Sequence, residues 1–120
     1  MDDSASIGYE NFIKMQILVN GLISTFDIKS GNTRVGVVVY SDGVEEIIYF
    51  QSYGSARSLS RKVVDLTYRG GGLTDTDDAL RFVRTVMLTE RRYDRPDVPN
   101  VVIVLTHGWA RNPNYTQVSI

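Results

Sequence analysis

The sequence predicts an α/β fold, namely a three-layer, doubly wound, mostly parallel sheet with helices on both faces. Apolar residues at helical spacing alternate along the chain with runs of β-branched residues, the pattern of strands joined by crossover helices. These runs are continuously apolar, as in strands that are buried on both faces. With 120 residues, of which 42% are hydrophobic, the chain is long enough for one globular domain.

The first helix is predicted from Tyr9 to about Ile28. Turn-forming residues follow it from Asp27 to Thr33, which breaks the helical pattern. The apolar residues of the helix recur at helical spacing and mark one buried face: Phe12, Met15, Leu18, Val19, Leu22, Ile23 and Phe26.

Two strands are predicted next, at Arg34–Tyr40 and Val44–Phe50. The turn signal Ser41-Asp42-Gly43 joins them, so the second strand returns antiparallel beside the first. Tyr40 closes the first strand and is interpreted as a packing residue.

The second half of the chain predicts two further helices and another strand. One helix runs from Ser55 to Tyr68 and ends at a triple glycine, and the other runs from about Asp75 or Thr76 to Thr89. Asn100–Thr106 reads as a fully buried strand. The tail from Trp109 to Ile120 shows no predicted element.

Composition excludes several classes of function. The 13 basic and 14 acidic residues give a net charge of −1, so we expect neither nucleic-acid binding nor attraction to an anionic membrane. No apolar stretch approaches the ~20 residues that span a bilayer, so we expect no membrane insertion. Cysteine is absent, which excludes disulfides and thiolate metal sites. No signal peptide is visible in the first residues.

The chain opens with a cluster of oxygen-bearing side chains, Asp2-x-Ser4-x-Ser6. Oxygens at these alternating positions can point to one side, and a hard cation such as Mg²⁺ prefers oxygen ligands. Polar residues also follow the predicted strands at Gly72–Thr76 and Thr106–Gly108. Because ligands of open α/β sheets bind beyond the carboxyl ends of the strands, we expect the three clusters to converge on one site.

Four segments together resemble the von Willebrand factor type A domain, the family of integrin inserted domains, matrilins and collagen A-type modules. They occur in the order of the family pattern between residue 2 and about residue 110: Asp2–Gly8, Val35–Ser41, Gly71–Leu80 and Val101–Gly108. The resemblance implies a metal-ion-dependent adhesion site, in which an acidic side chain of a protein ligand completes the shell of the cation. It also implies an extracellular or secreted adhesion or matrix module and no enzymatic activity.

The resemblance implies a role for each matching residue. Ser4 and Ser6 would be direct hydroxyl ligands, Asp2 a carboxylate acting directly or through water, and Thr74 a ligand in the ligand-bound form. His107 departs from the family pattern, which has aspartate in Leu-Thr-Asp-Gly. Imidazole suits Zn²⁺, Cu²⁺ or Ni²⁺ better than Mg²⁺ or Ca²⁺, and one negative charge is lost. We therefore expect a divalent cation such as Mg²⁺, Mn²⁺ or Ca²⁺ to bind weakly or not at all.

Other readings of the same residues stay open. Ser4 and Ser6 are also suited to capping the first helix, and Thr74 forms a capping-box pattern with Asp77. A Ser-His-Asp arrangement with His107 as base is disfavoured, because the sequence has no Gly-x-Ser-x-Gly elbow. The main alternative function is a metal-independent, degenerate interaction module or a non-functional fragment.

The resemblance also implies that residues 1–120 form a single partial domain, without the first central strand and the C-terminal strands. Family members begin with an apolar strand that ends at the Asp-x-Ser-x-Ser motif, whereas only Met1 precedes it here. That strand would lie between Arg34–Tyr40 and Val101–Thr106. Both would then lack a neighbour and leave backbone groups unpaired, so we expect a marginally stable or aggregation-prone chain.

Overall fold

The computed structural model describes residues 1–107. This part of the chain contains three α-helices and two strands: α1 at Tyr9–Ile23, β1 at Val37–Tyr40, β2 at Val44–Ile48, α2 at Ala56–Val64 and α3 at Thr76–Phe82. A π-helical turn at Val83–Met87 continues α3, and a short 3-10 turn follows at Glu90–Arg92. None of the helices within residues 1–107 has the length and apolar character needed to cross a membrane.

The predicted antiparallel pair is confirmed. β1 pairs with β2 from Val37 opposite Ile48 to Tyr40 opposite Val44, with an irregularity in the register after Val39. All four residues of β1 are buried, as predicted from its unbroken apolar run.

The first residues of the chain lie on the other side of β1 and run parallel to it. The Tyr40 amide donates to the Met1 carbonyl at 3.0 Å, and the Asp3 amide donates to the Tyr40 carbonyl at 2.9 Å. On the opposite side, the Asp2 amide donates to the Leu105 carbonyl at 2.9 Å. Residues 1–3 therefore occupy the carboxyl end of the position predicted for the first strand.

The prediction of a buried strand at Asn100–Thr106 is wrong for this structure. Residues 101–106 have no regular secondary structure, and Val101 and Ile103 are 81% and 57% exposed. A strand is stabilised by backbone hydrogen bonds to a neighbour, and here the described partner is the Asp2 amide at Leu105. An apolar groove of about 640 Å³ separates this segment from β1.

The predicted helices differ from the observed ones mainly at their ends. Helix α1 begins at Tyr9 as predicted but ends at Ile23, where the Ser24 and Thr25 hydroxyls donate to the carbonyls of the last turn. Of its predicted apolar face, Leu18 is 50% exposed, whereas Phe12 and Ile23 are buried. Helix α2 is shorter than predicted and begins after Ser55, which forms a capping box with Ser58.

The core lies between α1, α2 and the two strands. Its fully buried side chains are Phe12, Ile23, Val39, Leu59 and Val63. Gln16 is a buried polar residue on α1, and its amide donates to the carbonyls of three residues at the end of α2, Val63, Val64 and Leu66, at 2.9 to 3.2 Å. These bonds join α1 to the carboxyl end of α2 and the residue that follows it, and they give the buried Gln16 amide its hydrogen-bond partners.

We expect Val101→Lys to slow concentration-dependent aggregation, measured by light scattering. A lysine beside unpaired backbone groups discourages pairing with the edge of another molecule. The matched control is Val64→Lys, because Val64 is 63% exposed on α2, where the backbone is hydrogen-bonded within a helix. If the two substitutions slow aggregation equally, residues 101–106 are not the segment through which the molecules associate.

Candidate functional site

Asp2 lies at the centre of the candidate site and is fully buried. One carboxylate oxygen, Oδ1, accepts the Ser4 amide at 2.8 Å, and the other, Oδ2, accepts the Thr106 hydroxyl at 2.7 Å. Within residues 1–107, neither lysine nor arginine forms an ion pair with this carboxylate. Two neutral donors therefore orient the carboxylate, which also interacts electrostatically with the buried amino group of Met1.

Ser4 and Ser6 bring their hydroxyls together next to Asp2. The two Oγ atoms are 3.0 Å apart, with Ser4 buried and Ser6 exposed. Neither serine caps α1, because its N-cap residue is Gly8 at φ 82° and no side chain bonds the first turn. The interpretation of these serines as helix caps is therefore wrong. Their oxygens lie next to each other just after residues 1–3, which run parallel to β1.

The glycine loop packs directly against this serine turn. Ser4 and Gly71 form a parallel bridge, and the Ala5 amide donates to the Gly71 carbonyl at 2.7 Å. A Cβ atom at Gly71 would lie only 2.8 Å from the Cβ of Ser41, so the close approach requires glycine. The Asp75 amide also donates to the Ser41 carbonyl at 2.8 Å. The loop is thus fixed at both ends to the site.

Thr74 lies within this loop and is half-buried. The predicted capping box of Thr74 and Asp77 is wrong, because Asp75 is the N-cap residue of α3 and no side chain bonds the first turn. The Thr74 hydroxyl forms no hydrogen bond with another described residue. This hydroxyl therefore does not cap α3.

His107 is exposed at the end of the described chain. Its neighbour Thr106, rather than His107 itself, contacts the Asp2 carboxylate. The His107 imidazole forms no hydrogen bond with Ser4 or Ser6, so the Ser-His-Asp arrangement has no geometric support. Gly108, the last residue of the same predicted segment, lies outside the described residues, as does the tail from Trp109.

The ligands that these residues offer are oxygens. Within residues 1–107 there is no group of three or more histidine, cysteine, aspartate or glutamate side chains that could hold a metal ion. A site here would instead combine one carboxylate with hydroxyls, which fits a hard cation such as Mg²⁺ that keeps part of its water shell. A buried carboxylate that forms no ion pair with a described lysine or arginine fits the same cation.

Sequence reasoning missed a pair of interacting carboxyl groups, those of Asp3 and Glu45. Asp3 is fully buried and points away from Asp2; its Oδ2 accepts the Arg69 amide at 3.1 Å, whereas its Oδ1 has no partner. Burial, and then the neighbouring Asp3 carboxyl, raises the pKa of Glu45, while the Ser41 hydroxyl and Arg69 oppose the shift. The aspartate at the first x position of the Asp-x-Ser-x-Ser motif, Asp3, was the available signal.

We expect Glu45→Gln to stabilise the protein increasingly, relative to the parent, as the pH rises from about 4 to about 7. The raised pKa means that the folded protein holds this proton more tightly than the unfolded chain. Protonated Glu45 therefore contributes stability below the usual glutamate pKa, and this stability is lost as the pH rises through the folded value. The measurement is Tm against pH for both proteins. A difference in Tm that stays constant with pH would contradict this assignment.

A model of the von Willebrand factor type A domain matches residues 1–120. The chain belongs to the von Willebrand factor type A family. Curated relatives include the mouse collagen alpha-4(VI) chain, 33% identical over 110 residues that cover 90% of this chain and 5% of the relative. Mouse matrilin-2 is 31% identical over 115 residues, covering 93% of this chain and 12% of the relative. The chain thus spans only a small part of the curated relatives it matches.

Solved structures also match. Proximal thread matrix protein 1 from the mussel byssus superposes with a TM-score of 0.84 and 27% identity, covering 92% of this chain and 29% of that chain. In another structure of that protein, with a TM-score of 0.82 and 27% identity over 92% of this chain and 30% of that chain, zinc occupies the metal-ion-dependent adhesion motif. These matches confirm the predicted fold class, of which residues 1–107 form an incomplete α/β part.

Proposed function

We propose that residues 1–120 form a partial von Willebrand factor type A domain that binds protein ligands in the extracellular matrix through a divalent cation. The cation would be held by Asp2, Ser4 and Ser6, with Thr74 joining when a ligand binds. The observation that carries this proposal is the buried Asp2 carboxylate beside two hydroxyls 3.0 Å apart.

Each of these residues has a distinct part in the proposed site. Asp2 supplies negative charge at a carboxylate whose orientation two neutral donors hold. Ser4 and Ser6 supply hydroxyl oxygens from a turn pinned to Gly71. The Thr74 hydroxyl does not cap α3, so it would be able to rotate toward the cation. A bound cation would supply an open coordination position for an acidic side chain of the ligand.

His107 would weaken this site for Mg²⁺. Imidazole is a poor partner for a hard cation, and histidine does not replace the negative charge of the family's aspartate. Because His107 is exposed, its imidazole would be able to approach the cation from the solvent side. We therefore propose that the site binds Mg²⁺ weakly and binds Zn²⁺ more tightly than Mg²⁺.

The substitution at His107 also favours a second candidate function, a degenerate module that binds protein without metal. Retention of matrix proteins by the immobilised chain, with and without a chelator, distinguishes the two functions. Binding that survives both the chelator and Asp2→Ala would establish the metal-independent function.

We expect Asp2→Ala to reduce Mn²⁺ affinity by at least about 100-fold, because losing a ligand costs more than losing a group that only orients one. Isothermal titration calorimetry with Mn²⁺ alone measures this without knowledge of the protein ligand. The matched control is Asp65→Ala at the end of α2, which removes an exposed carboxylate far from the motif. Unchanged Mn²⁺ affinity in Asp2→Ala would refute the proposed cation site.

We expect His107→Asp to raise Mg²⁺ affinity by about tenfold or more, since it restores an oxygen ligand and a negative charge. His107→Asn is the control, because it resembles aspartate in size but carries no charge. Direct titration of all three proteins with Mg²⁺ checks this. Equally tight binding by the parent and His107→Asp would show that the histidine does not impair the site.

A further inference from the structure

Tyr68 connects helix α1 to the turn that carries the two serines. Its half-buried ring packs against the Phe12 ring at a centroid distance of 5.6 Å and against the edge of the Tyr9 ring at 6.0 Å. Its hydroxyl donates to the Ser4 carbonyl at 3.2 Å. Contacts between aromatic rings favour particular ring orientations, so these two contacts with α1 also restrict where the Tyr68 hydroxyl lies.

The Ser4 carbonyl accepts two hydrogen bonds. The Ile7 amide donates to the same oxygen at 3.1 Å, which closes a turn over Ser4–Ile7 with Ser6 at its third position. A carbonyl oxygen has two lone pairs, so Tyr68 and Ile7 together use both. The Ile7 side chain is buried in the core and holds the end of the turn. Donors from two separate segments thus fix the orientation of the Ser4 carbonyl.

The residues that follow Tyr68 run alongside the start of the motif. The Gly70 amide donates to the Asp3 carbonyl at 3.0 Å, and the Ala5 amide donates to the Gly71 carbonyl at 2.7 Å. Gly70 has a φ of 69°, and a Cβ atom there would lie 3.2 Å from the Tyr68 hydroxyl oxygen. Glycine at this position therefore leaves room for the hydroxyl, which adds a side-chain donor to the backbone bonds of residues 70 and 71.

We infer that Tyr68 is a positioning residue, whose hydroxyl holds the Ser4–Ile7 turn in the conformation that places the Ser4 and Ser6 hydroxyls 3.0 Å apart. The consequence for cation binding rests on the proposed function, whereas the role of Tyr68 in the turn does not. Because its hydroxyl donates to the backbone of Ser4, Tyr68 acts on the site through the turn and is not itself a proposed ligand.

A role of the hydroxyl in overall stability alone would give a different result. Its loss would then accelerate the exchange of slowly exchanging amides alike, through global unfolding. The Ile7 amide reports on the turn, because it donates to the same Ser4 carbonyl. The reference is the Leu59 amide, which donates to the Ser55 carbonyl in the first turn of α2 at 3.0 Å. Local loosening of the turn changes the ratio of the two exchange rates.

The test compares Tyr68→Phe with Tyr53→Phe in the metal-free chain. Phenylalanine keeps the ring and its aromatic contacts and removes the hydroxyl. The Tyr53 hydroxyl accepts the Val35 amide at 2.6 Å, so the control removes a bonded tyrosine hydroxyl that does not contact the turn. By NMR, we expect the exchange rate of Ile7 relative to Leu59 to rise several-fold in Tyr68→Phe and to stay unchanged in Tyr53→Phe. No rise in Tyr68→Phe, or an equal rise in both variants, overturns the inference.

Mn²⁺ titration of the same variants separates this inference from the proposed function. If the parent binds Mn²⁺, we expect Tyr68→Phe to weaken binding about tenfold, as for other groups that orient a ligand, and Tyr53→Phe to leave it unchanged. Equal affinity of Tyr68→Phe and the parent would show that the hydroxyl does not position the proposed ligands, and would overturn the inference. If the parent binds no Mn²⁺, the proposed function fails, and the Ile7 exchange rates still decide the role of Tyr68 in the turn.

Discussion

The arrangement of the site depends on the backbone hydrogen bonds that hold residues 1–3 between β1 and Leu105. Because successive side chains of an extended chain point to opposite sides, this placement directs Asp2 and Ser4 to one side and Asp3 to the other. The two adjacent carboxyl groups consequently enter different environments. Asp2 meets the Thr106 hydroxyl and the Ser4 amide, whereas Asp3 meets the Arg69 amide and the Glu45 carboxyl.

The contrast between these carboxyl groups bears on where the proposed cation would bind. A buried carboxylate that is oriented by neutral donors, and that forms no ion pair with a described lysine or arginine, favours the approach of a counter-ion. On the opposite side, Arg69 lies 3.7 Å from Glu45 and 3.5 Å from Glu46 and already partly compensates the acidic charge. A cation would meet repulsion from the guanidinium there.

Local patterns predicted those parts of the structure that local forces stabilise. The start of α1, the β1–β2 pair and the capped start of α2 follow from spacing, turn residues and capping residues. The buried strand at Asn100–Thr106 was not obtained, because a strand needs a hydrogen-bonded neighbour and not only apolar residues. Likewise, the motif predicted the proximity of Asp2, Ser4 and Ser6, but the contact between Asp2 and Thr106 joins residues 104 positions apart. No sequence pattern within either segment marks that pairing.

The unequal exposure of the two serines has a further consequence for valency. Ser4 is buried and Ser6 is exposed, so a cation held between them would be reachable from one side. Such a site would accept one acidic group at a time, so it would give no avidity by itself. Where modules of this kind are repeated along a longer chain, effective concentration turns many weak single contacts into firm attachment. Within such an array, even a site that binds its cation weakly would contribute to adhesion.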